Sequence, residues 1–167
     1  MPNSFKTLAD IEDQGFVGFL KISDLMRDSS KIPDKPGVYM VLYTGSGTPT
    51  FTHPGTGGFF KKEDPNKPES FLQQNWVKDT VVVYIGKAGG TGNTATLSKR
   101  LRLYLRFGQG APVGHKGGRL IWQIRNSGEL LFCWKTIISG EPRKAESELI
   151  REFVEYYTKK PFANLIN

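Results

Sequence analysis

The residue that says most about chemistry is Glu146, within the run from Pro142 to Lys159 that reads as a helix. At about 100° per residue, Phe153 and Tyr157 fall within about 20° of it, Ile150 about 40° and Leu149 about 60° away, so its carboxylate stands in the middle of an apolar stripe. Glu148, Glu152, Glu155 and Lys159 occupy the opposite, solvated face. A carboxylate turned toward a core needs a cation, a metal or hydrogen-bond donors, and such groups concentrate at functional sites. Helix geometry leaves open an ion pair with one of the chain's arginines. A second group of candidates is basic. Lys87 sits in Gly86-Lys87-Ala88-Gly89-Gly90-Thr91-Gly92-Asn93, a glycine-rich turn whose N–H groups and ammonium can meet a phosphate, although its spacing is not that of a P-loop. Arg100 and Tyr104 lie one helical turn apart and project together, as do Arg102 and Arg106.

Charge supports an acidic partner. Lys and Arg number 23 against 16 Asp and Glu, a net charge of +7 over 167 residues. Residues 1–80 hold nine basic against ten acidic side chains, residues 81–167 fourteen against six. Between Val81 and Gly128 there is no acid beside eight cations: Lys87, Lys99, Arg100, Arg102, Arg106, Lys116, Arg119 and Arg125. Such a cluster repels itself without a counter-ion, which points to an anionic polymer. Other classes fall away. A hydrophobic fraction of 38% with 12% aromatics is too rich for a disordered tail, and no apolar run approaches the ~20 residues of a membrane helix. The start, Met-Pro-Asn-Ser-Phe-Lys, lacks the apolar stretch of a secretory signal. Cys133 is the only cysteine, so no intramolecular disulfide can form and a cysteine-based zinc site is disfavoured. The expectation is a soluble, cytoplasmic protein of one domain spanning 1–167, with no membrane partner.

The elements that must position these residues can be placed. Residues 1–36 form an N-terminal extension without a clean period, in which Ser23 can cap a short helix. Gly37 to Tyr43 is an apolar β-rich run, and Val81 to Ile85 a second, continuous enough to be central in a sheet. The Gly/Pro-rich stretch 45–78 between them reads as an insertion whose aromatics pack on something. Thr96 can cap a helix with Leu97, Leu101, Tyr104 and Leu105 on one face. Leu120 to Ile124 and Leu130 to Trp134 read as an antiparallel hairpin, and Trp76, Trp122 and Trp134 as core.

Taken in order, Gly37-Val38-Tyr39, then Tyr84-Ile85-Gly86 with Lys87, then Leu97 to Leu105, then Glu146-Ser147-Glu148-Leu149-Ile150, and finally Pro161-Phe162-Ala163-Asn164 resemble the five motifs of the GIY-YIG nucleases. The run Arg100-Leu101-Arg102-Leu103-Tyr104 is most similar to that of the excision-repair branch, and the chain's size to the compact restriction endonucleases. The resemblance touches residues 37–43 and 81–167. It implies an α+β fold with a small, three-stranded antiparallel or mixed sheet flanked by helices, and a phosphodiesterase site on it. Position by position, it implies that a phenol of Tyr39 or Tyr84, with Tyr39 preferred, helps to deprotonate the attacking water. Arg100 would stabilise charge on the scissile phosphate, Lys87 lie close by, Tyr104 orient phosphate or water, and Asn164 brace the geometry. Glu146 would bind a single Mg²⁺ or Mn²⁺. A lone carboxylate holds such an ion largely through retained waters and substrate oxygen, which suits a metal recruited with DNA.

Departures from the family pattern are also plain. Between Tyr39 and Tyr84 lie 44 residues, and the turn after Lys87 is lengthened. His115 has no counterpart. Double-stranded DNA is the expected partner, contacted by Lys99, Arg102, Arg106, His115, Lys116 and Arg119, with a homodimer the simplest route to a double-strand break. The leading expectation is thus a metal-dependent DNA endonuclease of restriction or defence type. A non-catalytic nucleic-acid-binding module, and a structure-specific repair or RNA-directed nuclease, are the alternatives.

Overall fold

Gly37 to Leu42, apolar at every position after the glycine, forms a strand buried along its whole length, and the sheet is built outward from it. In this computed structural model, which describes residues 4–113 and 117–165, the strands are β1 (Val17–Lys21), β2 (Gly37–Leu42), β3 (Val82–Ala88) and β4 (Leu131–Thr136). They pair antiparallel throughout in the order β1-β4-β2-β3. The architecture is α+β, as expected, but the sheet has four strands rather than three. The additional strand, β1, comes from the N-terminal extension. It hides from periodicity because Gly18 and Phe19 both take positive φ and the register with β4 slips between Gly18 and Leu20, so its side chains do not alternate.

Five helices accompany the sheet: α1 (Leu8–Asp13), α2 (Ile22–Arg27), α3 (Glu69–Asn75), α4 (Leu97–Gly108) and α5 (Pro142–Tyr157). None of the described helices is long and apolar enough to cross a membrane. Thr96 caps α4 by accepting from the Lys99 N–H at 3.2 Å. α5 opens with a proline in its first turn and closes on Thr158 in the left-handed region. Lys21, whose side chain makes no capping bond, occupies the cap position of α2, not Ser23.

The sheet's two faces carry two cores. Tyr39, Val41 and Tyr84 face α4, where Leu97, Leu101, Tyr104 and Leu105 pack with Trp122 and Phe132. Val38, Met40 and Ile85 face the other way, onto Phe5, Ile11 and Phe153 of the terminal segments and α5. The expected hairpin is absent. Arg119–Gln123 coils into a 3₁₀ helix, buried from Leu120 to Gln123, and only Leu131–Thr136 is a strand. A continuous apolar run suits a buried strand and a buried coil alike, and here the left-handed residues Gly118 and Asn126 bound a coil.

The 45–78 insertion does pack, and against that 3₁₀ helix. Thr52 N–H and Thr56 N–H donate to the Gln123 and Trp122 carbonyls at 2.7 and 3.0 Å. The Gln123 side chain, 1% exposed, donates to the Lys67 and Thr52 carbonyls and accepts from the Lys67 N–H. Phe51 and Trp76 meet Phe162 with ring centroids 5.6 and 5.2 Å apart.

Candidate active site

β3, expected at the centre of the sheet, is its edge strand, and its continuous burial comes from the C-terminal segment that closes that edge. Ala163 N–H donates to the Val83 carbonyl at 2.8 Å. The Asn164 side chain then copies a strand neighbour, its Oδ1 accepting from Ile85 N–H at 2.9 Å and its Nδ2 donating to Ile85 O at 2.8 Å. Beside this edge opens a cleft of about 630 Å³, walled by Tyr84, Glu146, Ser147, Ile150 and Asn164, by Gly117 to Leu120, and by Glu63, Asp64 and Lys67 of the insertion.

Of the expected catalytic residues, Tyr84, Glu146 and Asn164 line the cleft. The others stand behind or beside it. Register places Tyr39 opposite Gly86, on the face that carries Tyr84. A Cβ at Gly86 would lie 2.5 Å from the Tyr39 ring, so glycine there is what lets the phenol lie across the neighbouring strand toward Tyr84. Tyr39 and Tyr104 are 0% exposed, whereas Tyr84 retains 7% and reaches the cleft. The three rings form a closed set, with centroids 5.9 to 6.3 Å apart. The Tyr104 hydroxyl donates to the Gly118 carbonyl, which ties α4 to the loop forming the cleft wall.

Electrostatics separates the phenols. Burial raises all three above the ordinary phenol range. For Tyr84, the negative charge of Glu146 raises it further, while the Arg100 guanidinium and a hydrogen bond from Tyr39 pull it back down. For Tyr39, the neighbouring Tyr84 raises it further, and the Arg100 guanidinium again pulls it down. Of the pair, Tyr84 is the phenol that reaches the cleft, and Tyr39 packs behind it.

Glu146 is half-buried, and burial raises its carboxyl above the ordinary value while Lys87, Arg143 and Arg100 each pull it down. It forms no ion pair within 4 Å among the described residues, although three cations face it. The ion-pair alternative is thereby set aside. Lys87 is not in a turn. It lies within β3, paired with Val38, with its ammonium 3.4 Å from the Gly89 carbonyl. The turn beyond it is already occupied by a carboxylate, since Glu141 accepts from the Thr91 N–H at 3.2 Å and from the Thr91 hydroxyl.

The expected nucleic-acid contacts divide. Arg119 lines the cleft, ion-paired to Glu63 at 3.3 Å and lying over the Phe107 ring. Lys99, Arg102 and Arg106 are exposed on a stripe of α4 and do not line it. Arg102 donates to the Ser29 hydroxyl at 3.1 Å. His115 and Lys116 lie outside the described residues. Cleft residues that sequence reasoning missed are Arg143, Arg151 and Lys160 on the helix side and Glu63, Asp64 and Lys67 on the insertion side. Arg143 was accessible, since it precedes Glu146 by one helical turn. The insertion residues carry no local signal, because partners far off in the chain, the Gln123 amide and Arg119, help to position their loop.

No protein-family model, curated protein or solved structure matches the chain.

Proposed function

We propose that the chain is a metal-dependent endonuclease that hydrolyses phosphodiester bonds of DNA in the cleft beside β3, through a site of the GIY-YIG type. The observation that carries this reading is Glu146: a half-buried carboxylate facing Lys87, Arg100 and Arg143, paired with none of them, and set in one cleft with a tyrosine. A binding module has no need to keep such a group, because an unpaired desolvated carboxylate costs stability.

The donor set fits a hard cation of Mg²⁺ or Mn²⁺ type. No group of three or more His, Cys, Asp or Glu that could form a metal cage exists among the described residues, so an ion on Glu146 would keep most of its shell as water and substrate oxygen. When bound, the ion supplies Lewis-acid polarisation of a phosphate oxygen. The chain's own groups do the rest. Tyr84, at the cleft wall, orients the water whose oxygen attacks phosphorus, and Tyr39 stabilises negative charge on Tyr84 from behind. Water adds one P–O bond as another breaks, the leaving oxygen takes up a proton, and the products are a phosphate monoester and an alcohol. Arg100 and Lys87 hold a positive field over the charge that grows on the phosphate. Asn164 fixes Ile85 and with it the neighbouring Tyr84.

Supercoiled plasmid incubated with the protein and Mg²⁺ or Mn²⁺ is expected to be nicked or linearised. Arg100→Ala should slow cleavage by about 10²-fold. Cleavage at the parental rate by both Arg100→Ala and Glu146→Gln would remove the assignment.

A further inference from the structure

The insertion contains a feature that the catalytic reading does not use. Phe60 and Glu63 form a β-bridge around a two-residue turn, with the Glu63 N–H donating to the Phe60 carbonyl at 3.0 Å. The two turn residues, Lys61 and Lys62, sit at φ 52° and 65°, the left-handed pair of a type I′ turn. Such turns select Asn-Gly, and lysine pays a conformational cost there, so strain of this kind asks for a functional reason. Its place supplies one, since Glu63 and Asp64, directly after the turn, line the cleft that holds Tyr84 and Glu146.

The charges around the turn are sorted. Both acids are engaged within the fold: Glu63 by Arg119 at 3.3 Å, Asp64 by the Asn66 backbone N–H and side-chain amide at 2.9 and 2.7 Å. The lysines are exposed and form no ion pair among the described residues, the Lys61 ammonium lying 5.4 Å from the Phe60 ring centre. Phe59, just before the bridge, is 50% exposed. Two cations without an ion pair beside an exposed aromatic ring, on the turn that leads into the cleft wall, match the chemistry of a nucleic-acid backbone: phosphates for the ammonium groups and the apolar face of a sugar for the ring.

We propose that the Phe59–Glu63 turn is a finger that grips duplex DNA as it enters the cleft, with Lys61 and Lys62 on backbone phosphates and Phe59 packed against the strand. This rests on the nuclease reading for its substrate but not for its readout, which is binding.

The test uses the full chain in EDTA and a fluorescent duplex of about two helical turns, titrated over a range of salt. Lys61→Asn combined with Lys62→Gly keeps the turn geometry while deleting both charges. It should retain or raise the melting temperature and flatten the slope of log K against log salt by about 1.8, the value for two phosphates. Phe59→Ala should weaken binding roughly 5-fold through lost apolar burial against the strand, with the slope unchanged. An unaltered slope in the first variant, or unaltered affinity in the second, overturns the finger. Preference for an RNA hairpin over the duplex overturns its assignment to DNA. If the finger fails while the parent still cuts plasmid, the nuclease reading survives; if the parent cuts no plasmid with Mg²⁺ or Mn²⁺ while the slopes shift as stated, the finger survives alone. Absence of any duplex binding overturns the finger.

Discussion

Two carboxylates stand little more than a turn apart at the start of α5, and Lys87 bears on both. Glu141, at the cap, is exposed. Hydrogen bonds from Thr91 hold its carboxyl below the ordinary value, and the helix N-terminus also favours an anion there. Glu146 is half-buried, accepts no bond from a neighbour among the described residues, and burial pushes its carboxyl upward against the pull of three cations. A nearby cation therefore does not decide the state of a carboxylate; solvation and donors do. One of these acids is satisfied by donors within the fold, while the other meets none among the described residues.

The widest separation between them should appear in cleavage. Glu146→Gln is expected to lower the rate of plasmid nicking by about 10²- to 10³-fold, whereas Glu141→Gln leaves it near the parental level. Equal losses in both would mean that Glu146 acts only through the helix it sits on. A smaller contrast of the same kind separates the tyrosines. Tyr84→Phe should cost roughly 10²-fold, with Tyr39→Phe costing less because its hydroxyl reaches the cleft only through Tyr84. A larger loss for Tyr39→Phe than for Tyr84→Phe would reverse their order.

The sequence made one side of this comparison legible and hid the other. Glu146 stands out because helical periodicity is long-range enough over sixteen residues to define a stripe with one polar intruder. β2, β3 and α4 follow from equally strong local signals. The failures share a cause: the deciding partner lies far off in the chain. β1 is held by β4 across a bulge, and Leu120 to Gln123 are coiled because α4 and the insertion bury them on all sides. The cleft's insertion wall depends on Gln123, whose amide accepts from a backbone group 56 residues away. Glu141 reads as an ordinary exposed acid, since nothing local announces that Thr91 will meet it.

The titration of the two acids gives a subtler contrast. If cleavage needs ionised Glu146, its acid limb lies above the pH of an ordinary carboxylate, and Arg143→Gln should move that limb higher by removing one of the cations that oppose burial. A limb that stays in place would detach the pH profile from Glu146.

The smallest effect is on stability, and its sign is opposite to that on activity. Because the folded-state value of Glu146 is raised, the native chain holds that proton more tightly than the unfolded chain does. The stabilisation this gives is complete below the ordinary glutamate value and is lost as pH rises through the raised one, above which the ionised, desolvated carboxylate burdens the fold. Glutamine carries no such burden. Thermal melts should therefore find Glu146→Gln above the parent at neutral pH, with the gap closing on acidification. Glu141→Gln should behave in the reverse sense, lowering the melting temperature slightly at neutral pH, because the Thr91 contacts favour the ionised acid and weaken only when pH falls through its depressed value. A Glu146→Gln variant that melts below the parent at neutral pH would mean that the carboxylate is bound up in the fold after all, and that the site was not left open.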